Sequence, residues 1–292
     1  ISDINNEMID AAVHALENEK FVLGESVFKF EEEFAKYIGT KNSVSVNSGS
    51  SALHLSLLAV NISNNSKVIT STNSFIASSN TILSTGAEPI LADIDESDGN
   101  LDMKNNQTNV DAIIPIHIYG NPCDFESVKE FAETKKIPII EDACQAHGAT
   151  YKGKKVGSLG QLGCFSFYPT KNMTVGGDGG MITTDDDDLA KTLISLRDNG
   201  RKESNRSIHE KFGFTMRLNT VNAAIGRVEL KNLDEKNKRR KEIAEIYEKN
   251  LSKNILLSTN KLGQSVFHQI VIKHKKRDKI KNHLLENGIG TA

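Results

Sequence analysis

Residues Val44 to Val60, VSVNSGSSALHLSLLAV, run from a short apolar alternation through Asn47, Ser48, Gly49, Ser50 and Ser51 into a helical stretch opening at about Ala52. A strand that turns through small polar residues straight into a helix is the unit of a layered α/β domain. The same unit recurs along the chain. Strands are predicted at Val44–Val46, Val68–Thr70, Pro89–Ala92, Ile113–Ile116, Pro138–Ile140, Cys164–Phe167 and Gly180–Thr183. Helices are predicted between them at Ser51–Val60, Ser74–Ser84, Phe125–Thr134 and Asp185–Leu196, the last opening on four aspartates that favour the positive end of a helix dipole. The alternation implies a largely parallel sheet covered by helices.

Two strand ends carry reactive groups. In IIEDACQAHGA (Ile139 to Ala149) an apolar run delivers Glu141 and Asp142. In SFYPTKNMTVGGDGG (Ser166 to Gly180) Lys171 sits after Pro169 and before a glycine cluster, in an irregular loop with no competing lysine. An amine and an acid presented this way suit pyridoxal phosphate, whose aldehyde needs an amine and whose ring nitrogen needs an anion. The free N–H groups at the start of the helix near Ala52 suit a phosphate. Each feature also has a plain structural reading: a capped helix for the Gly49 turn, a helix cap or arginine partner for Asp142, a solvated side chain for Lys171, and a core ring for Phe75. His54, His117 and His147 lack metal-motif spacing and read as hydrogen-bonded structural residues, with His117, at a strand end, also a substrate-contact candidate.

Composition narrows the classes. The 292 residues are 38% hydrophobic and 25% charged with a net charge of −2, so neither disorder nor a dominant nucleic-acid or membrane surface is indicated. Basic runs at Lys236–Lys241 and Lys273–Lys281 read as solvated helix faces. Three cysteines, Cys123, Cys144 and Cys164, form no C-x-x-C pair, which speaks against a disulfide framework or a metal knuckle and fits a reducing cytoplasm. No apolar run has bilayer length, and no G-x-x-x-x-G-K-[ST] loop or G-x-G-x-x-G fingerprint follows a strand.

From Asn219 to Leu251 the chain lacks proline and spaces its apolar residues helically, predicting one long connecting helix. An apolar, strand-like run (Val266–Ile272) and a helix-like NHLLENG follow. The expected organisation is a large domain over 1–250 and the start of a small α/β C-terminal domain over 251–292, incomplete and apparently truncated because one strand and one helix bury little.

The order SGSSAL, SFIAS, EDACQAHGA, SFYPTKN, GGDGG resembles the DegT/DnrJ/EryC1/StrS family of pyridoxal-phosphate sugar aminotransferases over nearly the whole chain. FVLGESVFKFEEEFAKYIGT and FGFTMRLNTVNAAIGRVEL fit the same family. The resemblance implies a fold type I (aspartate aminotransferase-like) enzyme with a seven-stranded, mostly parallel sheet, working as a cytoplasmic homodimer with shared sites. It also implies pyridoxal 5'-phosphate as cofactor, glutamate as amino donor and a nucleotide-linked keto-sugar as acceptor, for a surface polysaccharide or a glycoside. By motif, Lys171 matches the Schiff-base lysine, Asp142 the partner of the ring nitrogen, Gln145 the contact to the ring hydroxyl and Phe75 the stacking ring. Gly49 and Ser50 match the phosphate turn, and Ser166 a further phosphate ligand. Thr215 stands where the family's G-[YF]-N-x-R segment has asparagine. The alternatives are a sugar dehydratase, which tends to carry histidine at the position of Lys171, a cofactor-binding regulator without turnover, and a nucleotide-binding α/β protein.

Overall fold

The computed structural model describes residues 4–104, 108–202, 204–252 and 254–291, so Ile1 and Ala292, the outer ends of the two expected domains, lie outside it. Two helices open the chain, α1 (Asn6–Asn18) and α2 (Glu25–Ile38). Asn5 caps α1, its Oδ1 accepting the Met8 N–H at 2.9 Å. Then come β1 (Asn42–Val46), α3 (Gly49–Ala59), β2 (Lys67–Ser71), α4 (Ala77–Ser84), β3 (Glu88–Ala92), β4 (Ala112–Ile114), α5 (Phe125–Lys135) and β5 (Ile140–Asp142). A small hairpin, β6 (Thr150–Tyr151) and β7 (Lys154–Lys155), precedes β8 (Leu162–Ser166), β9 (Gly180–Thr184) and α6 (Asp187–Arg197). A second hairpin, β10 (Arg201–Lys202) and β11 (Asn205–His209), leads to α7 (Thr220–Asn250), β12 (Gly263–Gln264) and α8 (Arg277–Glu286).

The strands form an α/β layer in two sheets, ordered β1-β9-β8-β5 and β3-β2-β4. Within them β5–β8, β2–β3 and β2–β4 pair in parallel, while β9 runs antiparallel to both β1 and β8. Isolated parallel bridges, Ile113 with Ile139 and Ile116 with Asp142, join the sheets between β4 and β5. The carboxyl ends of β4, β5 and β8 therefore lie side by side, which brings together residues far apart in sequence.

Burial follows from composition. Helix α3 spreads Leu53, Leu55, Leu57 and Leu58 around its circumference, and such a helix has to be covered. Leu53, Leu55 and Leu57 are accordingly buried, packed with Val44, Ile82, Ile114, Ile140 and Ile182. A second core joins Phe30 and Phe34 of α2 to Phe165 of β8 and Phe167 just after it. The lone glycine of α7 has a packing reason: a Cβ on Gly226 would stand 2.8 Å from the Phe30 ring. The acidic run does open a helix, with Asp186 accepting the Asp188 and Leu189 N–H groups.

Two sequence expectations need correction. The strand expected at Pro138–Ile140 lies at Ile140–Asp142, because Asp142 pairs across to Cys164 and the two acids are part of the strand itself. The run Val266–Ile272 is not a strand. Its Val266 and Gln269 N–H groups go instead to the carbonyls of Gly120 (3.0 Å) and Tyr119 (3.2 Å), leaving only a single bridge from Leu256 to Ile272.

Candidate active site

Strand alternation separates the two acids of β5. Glu141, fully buried, faces a loop whose Gly157, Leu159 and Gly160 N–H groups each donate to it at 2.7 Å. His117 completes its shell at 2.9 Å. The Cys123 N–H donates to His117 Nδ1 at 3.2 Å, so the ring proton sits on Nε2 and points at Glu141. His117 is itself fully buried, so its substrate-contact role is corrected: it is structural.

Asp142 faces the other way. It is 7% exposed and accepts from Ser78 Oγ at 2.9 Å and from the Cys144 N–H at 3.2 Å. Among the described residues it has no ion pair, and a buried carboxylate with only a hydroxyl and an amide for company is costly unless a cation arrives.

Cys144 feels both reactive groups. Burial and the Asp142 carboxylate push its thiol well above the ordinary range, while the Lys171 ammonium pulls it down. The structure thus brings Asp142 and Lys171 close enough for both to act on one sulfur. Lys171 is half-buried, in the turn after β8, where its N–H donates to the Tyr168 carbonyl at 2.8 Å. The same ammonium, after burial, depresses the fully buried His147 to about 3 and His268 to about 4. His147 departs from the expected hydrogen-bonded role: among the described residues neither ring nitrogen makes a hydrogen bond of good geometry, the Ser166 backbone giving only a weak contact, and the ring packs against Phe165 and Phe167.

Beside Cys144 stands the start of α3. Ser48 caps this helix, taking the Ser51 N–H at 3.0 Å, and Ala52 donates to the Ser48 carbonyl. Among the described residues no protein group takes the Gly49 or Ser50 N–H. A Cβ on Gly49 would stand 2.7 Å from Ser166 Cβ and 2.9 Å from Cys144 Sγ, so only glycine lets the helix start meet the end of β8 this closely. The close approach brings the Ser166 hydroxyl beside the free N–H groups of the helix start, the donor set that a phosphate needs. Phe75 is 69% exposed at the foot of α4, not a core ring.

Gln145 is held from an unexpected quarter. Its Oε1 accepts the N–H of Tyr119 at 2.8 Å, and Tyr119 adopts a left-handed backbone with φ of 59°. With the oxygen committed, the Gln145 amide hydrogens remain to donate elsewhere. Thr215 gives its hydroxyl to Asn199 Oδ1 at 3.0 Å, while the carbonyl of its neighbour Met216 takes the Asn47 N–H at 3.0 Å. Ser78 and Tyr119 escaped the sequence reading. The only signal for Ser78 was its place three residues after Phe75, and nothing local marked Tyr119.

An α/β layer that carries at its strand ends a lysine, a buried acid with no ion pair among the described residues, and free helix-start N–H groups has the donor set that a phosphorylated, cationic heterocycle needs, and the residues present fit pyridoxal phosphate. The profile of the DegT/DnrJ/EryC1/StrS aminotransferase family matches residues 2–292, and the chain belongs to that family. It is 36% identical over 294 residues to a pleiotropic regulatory protein of Geobacillus stearothermophilus, covering 98% of this chain and 78% of the relative. It is likewise 36% identical over 290 residues to the dTDP-3-amino-3,4,6-trideoxy-alpha-D-glucose transaminase of Streptomyces venezuelae, covering 97% and 76%. The crystal structure of S. venezuelae DesV in complex with a ketimine intermediate superposes with a TM-score of 0.93 at 35% identity, covering 97% of this chain and 78% of that one. Among the described residues no helix is long and apolar enough to cross a membrane.

Proposed function

We propose that the chain is a pyridoxal-phosphate-dependent aminotransferase that moves an amino group from glutamate to a nucleotide-linked keto-sugar in amino-sugar biosynthesis. The observation that carries the reading is that Lys171 and Asp142 both act on the Cys144 sulfur, which packs against Gly49 at the start of α3. When bound, the cofactor supplies an electron sink for charge developing on the donor's α-carbon.

The chain's residues do the rest. Gly49 and Ser50 N–H groups and the Ser166 hydroxyl bind the phosphate. Asp142 pairs with the ring nitrogen and keeps it protonated. Gln145 donates an amide hydrogen to the ring hydroxyl, Tyr119 having taken its oxygen. Phe75 stacks on the ring. Lys171 Nζ would hold the aldehyde and, as a free amine, would move the proton to and from the donor's α-carbon. Two sheets bridged between β4 and β5 support reading the layer as the single seven-stranded sheet of fold type I. We place the large domain at 1–250 and the small one from 251. Exposed apolar side chains on and after α1 (Ile9, Val13, Leu16, Phe21) support a homodimer, and the reducing setting read from the cysteines supports the cytoplasm.

The test is Lys171→Ala. Loss of both the visible absorbance of bound cofactor and turnover is expected, and an active variant overturns the assignment. A second reading, a cofactor-binding regulator without turnover, is favoured by the name of the Geobacillus relative. Incubation of the coloured protein with glutamate separates the two, since only the aminotransferase converts the cofactor to its amine form.

A further inference from the structure

Asn172 directly follows Lys171, is 4% exposed, and commits its whole carboxamide to distant parts of the chain. Its Nδ2 donates to the Val266 carbonyl and to Asn237 Oδ1, both at 3.0 Å, and its Oδ1 meets His268 Nδ1 at 3.0 Å. The Val266 carbonyl can only accept, which fixes the orientation of the amide; Oδ1 then has to take the Nδ1 proton of His268. Asn237 passes the chain on, donating its Nδ2 to the His147 carbonyl at 2.8 Å. One side chain thus ties the loop after β8 to the middle of α7, to the turn after β5 and to residues 265–269.

That last segment is seated from both sides. The Val266 and Gln269 N–H groups and the Ser265 hydroxyl bond the Tyr119–Gly120 carbonyls at 3.0 to 3.2 Å. The Arg240 guanidinium reaches the Phe267 and His268 carbonyls at 3.4 Å. His268 is in electrostatic reach of Lys171, Arg240 and His147, and the two cations after burial keep its ring neutral with Nδ1–H available to Asn172.

Among the described residues Lys171 itself is held by one turn bond to Tyr168, so its neighbour Asn172 does most to fix its backbone. We propose that Asn172 is a positioning residue that makes the placement of Lys171 depend on the seating of residues 265–269 through Val266 and His268. This rests on the cofactor role of Lys171 argued above. The proton affinity of the Lys171–cofactor adduct depends on its distance from Asp142, Cys144, His147 and His268. A segment that unseats shifts that affinity without touching the cofactor.

The experiment is a spectrophotometric pH titration of the cofactor-loaded protein for the wild type, Asn172→Ala, His268→Phe, the double variant and His268→Gln. Both single variants are expected to move the midpoint in the same direction by about one pH unit, a tenfold change. The double variant should move it no further than Asn172→Ala alone, since that variant has already lost the bond to His268. His268→Gln, which keeps an N–H donor, should return it toward wild type. A purely architectural role lowers the melting temperature and leaves the midpoint in place, and an unmoved midpoint in folded, coloured His268→Phe overturns the proposal. Hydrogen exchange of the cofactor-free protein gives an independent arm: the peptide containing Lys171 should exchange at least about tenfold faster in His268→Phe, and equal rates also overturn it. Colour that persists in Lys171→Ala would instead strike at the cofactor reading, leaving the exchange result to stand or fall by itself.

Discussion

Glu141 and Asp142 are consecutive residues of β5 whose carboxylates lie on opposite faces of the sheet and share no partner. Four donors surround the first, and a hydroxyl and one amide the second. The two should therefore separate cleanly on substitution. Glu141→Gln turns an amide toward backbone N–H groups that need an acceptor, and should cost about 2–4 kcal/mol in urea unfolding. Asp142→Asn should leave the cofactor-free protein as stable as before or more so, because it removes an uncompensated buried charge, while weakening cofactor binding at least about tenfold. If Asp142→Asn is the destabilising one, the assignment of the two acids is reversed.

Acid should unfold the cofactor-free protein earlier than its carboxylates alone require. His147 and His268 titrate at about 3 and about 4 in the fold, below the ordinary 6.5, because burial and then the Lys171 charge oppose a second cation there. Between those values and 6.5 the unfolded chain binds protons that the folded one refuses, so stability is full above 6.5 and falls as pH is lowered. Each histidine contributes about 1.4 kcal/mol per pH unit in that window. Replacing His147 by leucine should flatten the decline in a series of urea midpoints by close to one proton's worth. An unchanged slope would mean that His147 is charged in the fold.

Gly49→Ala tests the phosphate donors at the start of α3. The added methyl meets Ser166 Cβ and Cys144 Sγ, both on short side chains fixed at strand ends, so the helix start has to move outward. Overpacking of this kind costs about 1–3 kcal/mol. The N–H groups of Gly49 and Ser50 move with the helix, and the visible band of bound cofactor should be lost at concentrations that saturate the wild type. Retention of full affinity would place the phosphate elsewhere.

What could be read in the chain depended on how far a signal reached. The β1–α3 junction, the capping aspartates of α6 and the long α7 are local patterns, and they appear close to where periodicity puts them. Register within a strand is subtler: whether Ile140 or Asp142 ends β5 is settled by Cys164, on a partner strand more than twenty residues away. The site divided the same way. Lys171 and Asp142 announce themselves as a lysine before glycines and acids after an apolar run. Ser78, Tyr119 and Asn172 do not, because each works through bonds to residues 26 to 96 positions distant. A serine in a helix's first turn looks like any other until the sheet brings Asp142 to it. The apolar run 266–272 misled for the opposite reason: its composition suits a strand, yet its N–H groups find the Tyr119–Gly120 carbonyls.

Phe75 offers the sharpest separation of ligand binding from folding. A phenylalanine 69% exposed has little buried area to lose, so Phe75→Ala should change unfolding free energy by no more than about 0.5 kcal/mol. Stacking on a flat heterocycle contributes about 0.5–1.5 kcal/mol beyond area burial, so the same variant should bind cofactor several-fold to about tenfold more weakly. Phe75→Tyr, which keeps the ring, should restore it. Absorbance titration of the three proteins with cofactor, beside their melting curves, is the measurement. Equal affinities in wild type and Phe75→Ala would remove the ring from the site and leave Phe75 as part of a surface for another chain, beside the equally exposed Ile76 and Leu83.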